Sequence, residues 1–255
     1  MFMKGAIGML QQKFSIITVC YNSEKTIERT IKSVLNQTID DYEYIIVDGG
    51  STDNTISLID NYRMIFGKKL RVISEPDDGI YDAMNKGIRM SSGELVGIVN
   101  SDDYLEPDAL KKISNVYDGY DYEIIYGMLR TISNGKEIQV YIKNHENIDA
   151  DMIAHPSCFV TKKIYDSFGL YNLKYKYSAD YEFMLRMIRN DKVKFVKLYE
   201  IISNFNLDGS SASVEAYMET MKLRHEYGFI DDKLYNRIMI KSKIKLFLQK
   251  QIMKE

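Results

Sequence analysis

The sequence predicts an α/β fold in which a mostly parallel central sheet is covered by helices. Two observations carry this prediction. Four short apolar runs in the first hundred residues alternate with segments of helical periodicity, and three of the four runs end on acidic or polar residues. Such alternation implies right-handed crossovers and parallel pairing. In sheets of this kind, ligands sit beyond the carboxyl ends of the strands.

Each element follows from its residues. "FSIITVC" (14–20) reads as a buried strand. The segment 23–38 then places Ile27, Ile31, Val34 and Leu35 at helical spacing, with Ser23 as its expected N-cap. "YEYIIVD" (42–48) is the second strand, and "GGSTDNT" turns it into a helix bearing Ile56, Leu58 and Ile59. "LRVIS" (70–74) and "GIYDAMNKGIRMS" (79–91) give the third strand and helix. "ELVGIVN" (94–100) is the fourth strand, and a helix led by Pro107 follows it.

The second half is less regular. "EIIYGMLRTI" and "KEIQVYIK" read as a hairpin turned by Asn134-Gly135. "SADYEFMLRMIRN" (178–190) is helical, with Phe183, Met184, Met187 and Ile188 inward. "VKFVKL" and "EIISNFNL" resemble two short strands, "DGSSAS" (208–213) a loop, and two helices close the chain. With no internal repeat or Pro/Gly-rich linker, the pattern predicts one domain over 13–210. A short extension (1–12) precedes it and a helical extension (211–255) follows.

The bulk numbers narrow the function classes. A chain of 255 residues with 45% apolar and 27% charged residues has the composition of a soluble globular protein. A net charge of −2 argues against a nucleic-acid partner. Cys20 and Cys158, each in an apolar stretch, suit a reducing compartment without disulfides. The N-terminal "MFMKGAIGMLQQ" lacks a signal-peptide pattern, and no segment reaches the length of a membrane span. The expectation is a cytoplasmic protein.

The candidate chemistry lies at the strand ends. Asp102 and Asp103 are adjacent carboxylates after a strand. They suit a magnesium or manganese ion bound together with substrate phosphates, or equally a turn in which they serve as caps. Asp48, before Gly49 and Gly50, is either an acceptor for a base or ribose edge or a solvated turn residue. Asp180 opens an amphipathic helix and is either an N-cap or, if it faces a pocket, a general base. His155 in "AHPSCF" is a phosphate or substrate contact or a buried hydrogen-bonding group, the structural role being the default.

Four segments in order, "SIITVCYNSEKTIERTIKSVLNQT", "YIIVDGGSTDNT", "NKGIRMSSGELVGIVNSDD" and "DYEFMLR", resemble the family 2 glycosyltransferases of the GT-A fold. The resemblance spans about residues 13 to 210. The "EPDDGIYDAMNKGI" segment and the histidine before Pro156 are similar to the bacterial branch that builds lipopolysaccharide, capsule and exopolysaccharide. The resemblance implies a nucleotide-sugar donor, commonly UDP-linked, with GDP and dTDP open, and an inverting displacement. It places Thr18, Cys20 and Tyr21 at the nucleotide's edge and Asp48 on the base. Asn100, Ser101 and Asp102 stand at the D-x-D position, with Asp102 on the metal and Asp103 as the acid that often follows. Asp180 is then the general base. In the loop 208–213, Ser210 is a candidate lid residue over the phosphates. The implied acceptor is a glycan or a polyprenyl-diphosphate-linked sugar.

Three positions depart from the family pattern: Asn100 for an aspartate, Gly49 for a second acid, and Ala179 for a glutamate. An asparagine carbonyl still accepts a hydrogen bond, with one charge fewer. These departures leave a non-catalytic nucleotide-sugar-binding or assembly subunit as the alternative. A phosphoacceptor signalling domain ranks last, because it leaves the long second half unexplained. In 233–255, seven Lys or Arg face one acid, and Ile240, Ile244, Phe247 and Leu248 share a helical face. That helix suits peripheral contact with the inner face of a membrane, packing on its own domain, or a homodimer.

Overall fold

A computed structural model describes residues 13–149, 152–207 and 213–252. Its centre is one nine-stranded sheet. The first half is parallel, as the alternation predicts. β1 (Phe14–Cys20) pairs with β2 (Tyr42–Asp48) and β4 (Leu95–Ile98), and β2 also pairs with β3 (Leu70–Ser74). The second half is mixed. β8 (Cys158–Thr161) runs antiparallel to both β4 and β6 (Glu123–Ser133), while β9 (Lys194–Asn206) runs parallel to β6. The two-residue strand β5 (Tyr104–Leu105) pairs with β9 beyond it. β7 (Lys136–Tyr141) forms the expected hairpin with β6, and Asn134 and Gly135 both have positive φ, as a tight two-residue turn requires.

Side chains alternate between two cores, one on each face. Along β1, Ile17 and Val19 enter one core while Phe14, Ile16 and Cys20 enter the other. Along β2, Ile45 and Val47 separate from Tyr44 and Ile46 in the same way. One face is covered by α1 (Ile27–Leu35), α2 (Thr55–Asp60) and α5 (Ala109–Val116), through Ile27, Ile31, Ile59 and Leu110. On the other face lie α4 (Ile80–Met90), α6 (Lys162–Phe168) and α7 (Ala179–Ile188). A one-turn helix, α3 (Arg63–Phe66), precedes β3. α4 lies close on the sheet because Gly87 has no side chain: a Cβ there would stand 2.5 Å from Ile17 Cγ2.

Two local readings change, and the expected terminal helices form. α1 starts at Ile27, so Ser23 supplies its carbonyl to the N–H groups of Thr26 and Ile27 instead of capping with its hydroxyl. The two short strands expected over 193–207 are the single strand β9. The two terminal helices are α8 (Val214–Glu226) and α9 (Asp232–Ile252). α8 packs on the second-face core through Leu223, which is fully buried there. α9 packs on α8 through a His225–Asp232 contact of 2.7 Å and stacking of His225 on Tyr235.

Candidate functional site

The loops after β1, β2 and β4 are stitched together at the carboxyl edge of the sheet. The Asn22 and Ser23 amides donate to the Ser51 and Thr55 hydroxyls, and Thr52 N–H donates to Asn22 Oδ1. The Ser23 and Ser101 hydroxyls meet at 2.8 Å, tying the first turn to the fourth. Asp48 anchors this floor. It is fully buried and accepts from the Gly50 and Ser51 amides, the Ser51 hydroxyl and the Ser74 hydroxyl. Burial alone raises a carboxyl's pKa, but here these donors outweigh it and hold Asp48 below the usual carboxylate value.

Above the floor is a cavity of about 720 Å³, lined on one side by Cys20, Tyr21 and Ser23 and on the other by Asn100, Ser101 and Asp102. Five of the residues anticipated from sequence therefore converge. Tyr21 presents a 62% exposed ring. Burial and the neighbouring Asp48 push the Cys20 thiol far up, so it stays protonated and donates to Asp48 Oδ1. Three further acids line the same cavity and were not anticipated: Glu24, Asp53 and Asp77. Asp77 stands over Gly49, where a Cβ would lie 2.5 Å from its Oδ2.

Three anticipated contacts point elsewhere. Thr18 is fully buried and its hydroxyl accepts from the Tyr44 hydroxyl at 3.0 Å, inside the core. Asp48 has both carboxylate oxygens occupied by the floor. Asp103 is fully buried, with its carboxylate accepting from the Asn206 amide and the Asn100 side-chain amide. Asp103 therefore turns inward and, unlike Asp102, does not line the cavity. Burial, then the Asp102 charge, pushes its pKa up to about 8. Ser210 lies outside the described residues.

The fit to a divalent cation rests on Asp102 and Asn100. Asp102 lines the cavity, and burial raises its pKa. The buried Asn100 Oδ1 has no hydrogen-bond partner. Among the described residues no cluster of three metal-ligating side chains exists. One carboxylate and one orphaned carbonyl fit a magnesium-type ion completed by water and substrate phosphates.

Asp180 sits in the first turn of α7, after Ser178 in the N-cap position, so it is not itself the cap. Its Oδ1 accepts from the Tyr81 hydroxyl at 2.7 Å and from the Tyr181 amide at 2.9 Å. Burial and then the Asp180 charge push the Tyr81 phenol far up, so it remains a donor. Tyr81 belongs to α4, whose Ile80 and Ala83 line the cavity, so one helix touches both regions. The loop before Asp180 is pinned by Glu219 of α8, which accepts from the amides of Lys176, Tyr177 and Ser178. The His155 ring is held neutral by burial, although Asp180 counters this, and its buried Nδ1 has no partner.

Comparison with known proteins gives this geometry a family. The model for "Glycosyl transferase family 2" matches residues 15–196. A PGL/p-HBAD biosynthesis glycosyltransferase of Mycobacterium bovis is 26% identical over 84% of each chain. Hyaluronan synthase of Pasteurella multocida is 32% identical over 79% of this chain but only 21% of its own length. Among solved structures, S. aureus TarS 1-349 in complex with UDP superposes with a TM-score of 0.68 at 21% identity, covering 90% of this chain and 70% of that one. A Pyrobaculum calidifontis mannosyltransferase in complex with GDP-Man and Mn2+ superposes at 0.59 with 16% identity, covering 85% and 61%. These two likenesses establish the GT-A type of fold. The extent of the family match establishes the rest: the chain is a glycosyltransferase and belongs to glycosyl transferase family 2.

Proposed function

We propose that the chain is an inverting, metal-dependent transferase that moves a sugar from a nucleoside-diphosphate donor, UDP-linked, to a hydroxyl of a glycan or lipid-linked acceptor. The observation that carries this reading is the division of the acids. Asp102 and Asn100 line the cavity, with the buried Asn100 Oδ1 lacking a partner, while Asp180 lies outside that lining and is bound to the Tyr81 hydroxyl. The UDP complex of TarS and the GDP-Man and Mn2+ complex of the mannosyltransferase support the donor class and the metal.

Each group then has a task. Tyr21 offers its ring to the base, and Asp77, of which only Oδ1 is engaged, by the Gly79 amide, accepts a hydrogen bond from base or ribose. Asp102 and Asn100 would hold manganese or magnesium, which would supply charge neutralisation for the leaving diphosphate. Asp180 takes the proton of the acceptor hydroxyl as its oxygen attacks the anomeric carbon and the donor's glycosidic C–O bond breaks. The nucleoside diphosphate leaves with the bonding electron pair.

The test is a transfer assay on Asp180→Asn beside a thermal-shift titration with UDP and manganese. The variant is expected to keep the shift and lose transfer. Undiminished turnover would remove Asp180 as base, and binding without turnover in the parent chain would favour a non-catalytic subunit.

A further inference from the structure

The segment that leads into Asp180 is held from two sides. On one side, the Tyr81 hydroxyl of α4 reaches the Tyr177 carbonyl at 3.0 Å and Asp180 Oδ1 at 2.7 Å. On the other stands Glu219 of α8, 41 to 43 residues further along the chain. Its Oε1 accepts from the Tyr177 and Ser178 amides at 2.7 and 2.8 Å, and its Oε2 accepts from the Lys176 amide at 3.0 Å. Among the described residues these three amides are its only hydrogen-bonding or ion-pair partners. The family match ends at residue 196 and so stops short of Glu219.

The segment supplies no cap of its own. Ser178 occupies the N-cap position of α7 but makes no capping bond, and its hydroxyl instead meets the Thr220 hydroxyl of α8 at 2.9 Å. A helix start without a side-chain cap is loosely held. Asp180 is the second residue of α7, so looseness at 176–178 reaches it within a single turn. Tyr81 cannot hold the segment alone. A phenol has one proton to donate, so a bond to the Tyr177 carbonyl competes with the bond to Asp180. With the loop fixed through its amides, that proton is free for the acid.

We propose that Glu219 is a positioning residue for sugar transfer, holding Asp180 in register with the acceptor hydroxyl through the amides of residues 176–178. The inference rests on the reading of Asp180 as general base. A base must come within about 2.6–3.2 Å of the oxygen whose proton it takes, and a misplacement of about 1 Å costs roughly a hundredfold in rate. A carboxylate suits the task because both its oxygens accept charge-assisted hydrogen bonds. The Lys176 and Tyr177 bonds lie at exposed positions, so water takes the place of Glu219 when it is removed and the fold loses little. What is lost is the fixed station of the loop. α8, which the sequence pattern leaves outside the catalytic domain, thus belongs to its working parts.

The experiment compares Glu219→Ala, Glu219→Gln and Glu226→Ala in the full chain. Turnover is followed as UDP released from UDP-N-acetylglucosamine, with manganese present and octyl glucoside as acceptor, beside amide hydrogen exchange. Glu219→Ala should lower kcat at least about tenfold, with KM for the donor and the UDP–manganese thermal shift unchanged. The amides of residues 176–178 should exchange at least about tenfold faster in this variant. Glu219→Gln keeps the oxygen that serves Tyr177 and Ser178 and should retain most of the parent's kcat. Glu226→Ala removes a neighbouring α8 contact, the 2.8 Å bond from the Tyr175 hydroxyl, and should leave kcat at the parent's value. A parental kcat in Glu219→Ala would overturn the proposal. So would an equal fall in Glu226→Ala, because any loosening of α8 would then suffice. No UDP release by the parent, or undiminished release by Asp180→Asn, would instead overturn the reading of Asp180, and hydrogen exchange would still decide whether Glu219 holds the loop.

Discussion

The Tyr81 hydroxyl donates to Oδ1 of Asp180 across 2.7 Å, joining a helix that lines the donor cavity to the acid in the first turn of α7. The second acceptor within reach of the same hydroxyl is the Tyr177 carbonyl at 3.0 Å, so this phenol fixes both the acid and the loop before it. Tyr81→Phe removes the donor and keeps the ring in its packed place. Hydrogen bonds to charged groups are worth about 1.5–3 kcal/mol, so kcat should fall at least about tenfold. UDP–manganese affinity should stay unchanged. Steady-state kinetics beside calorimetric donor binding checks this. A parallel fall in donor affinity would place Tyr81 in the service of the cavity instead.

Asp102 and Asp103 are neighbours in sequence with opposite surroundings, one lining the cavity and the other wholly inside. Asp102→Asn should abolish the manganese-dependent part of the UDP thermal shift and change the stability of the free protein by no more than about 0.5 kcal/mol. Asp103→Ala should do the reverse. It strips the acceptor from the Asn206 amide and the Asn100 side chain, at a cost of about 1–3 kcal/mol. Asp103→Asn should be milder than the alanine, because a carboxyl pushed up to about 8 by burial and by Asp102 is already mostly neutral at pH 7. Denaturant unfolding without nucleotide separates the three variants.

These two acids also show what the sequence could disclose. The parallel half of the sheet was legible because each strand is an apolar run closed by a turn signal. The D-x-D position was legible because polar residues crowd one strand end. Which side chain turns inward is decided by partners far along the chain, Asn206 in the case of Asp103. The same limit applies to Thr18, whose hydroxyl is claimed by Tyr44. Tyr81 and Asp77 lie in the recognised "EPDDGIYDAMNKGI" segment, yet their roles depend on α7 and on the space over Gly49. β9 read as two strands for a local reason. Tyr126 faces Lys197 and Met128 faces Ile201, so residues 198–200 bulge opposite Gly127 alone and interrupt the strand pattern.

The floor of the site should be acid-sensitive. Burial opposes the charge on Asp48, but the Ser51 and Ser74 hydroxyls and the Ser51 and Gly50 amides prevail, so its folded pKa lies below its unfolded one. The unfolded chain then binds the proton more readily. The stabilisation is fully present above the ordinary value of 3.8 and is lost as pH falls through the lower folded value. Asp48→Asn should lower stability at neutral pH by about 1–3 kcal/mol. The unfolding free energies of parent and variant should converge as pH drops below 4. Parallel curves across that range would assign the loss to packing instead of charge.

Gly49 gives the sharpest test of the base side of the cavity. The family pattern carries a second acid after the strand-end aspartate, and here the chain has no side chain at all at that position. The space is filled by the Asp77 carboxylate from the loop after β3, 2.5 Å from where a Cβ would stand. Gly49→Ala therefore meets the movable end of a side chain, not backbone, and folding stability should change by less than about 1 kcal/mol. The displaced carboxylate gives up its bond to the Gly79 amide and its station in the cavity. UDP affinity should fall about tenfold, the worth of one hydrogen bond at about 1.4 kcal/mol. Asp77→Ala should cost a similar amount. The double variant decides the mechanism: if Gly49 acts only by making room for Asp77, Gly49→Ala has no further effect once Asp77 is alanine. Additive losses in UDP titrations would mean that the glycine contributes to the nucleotide in its own right.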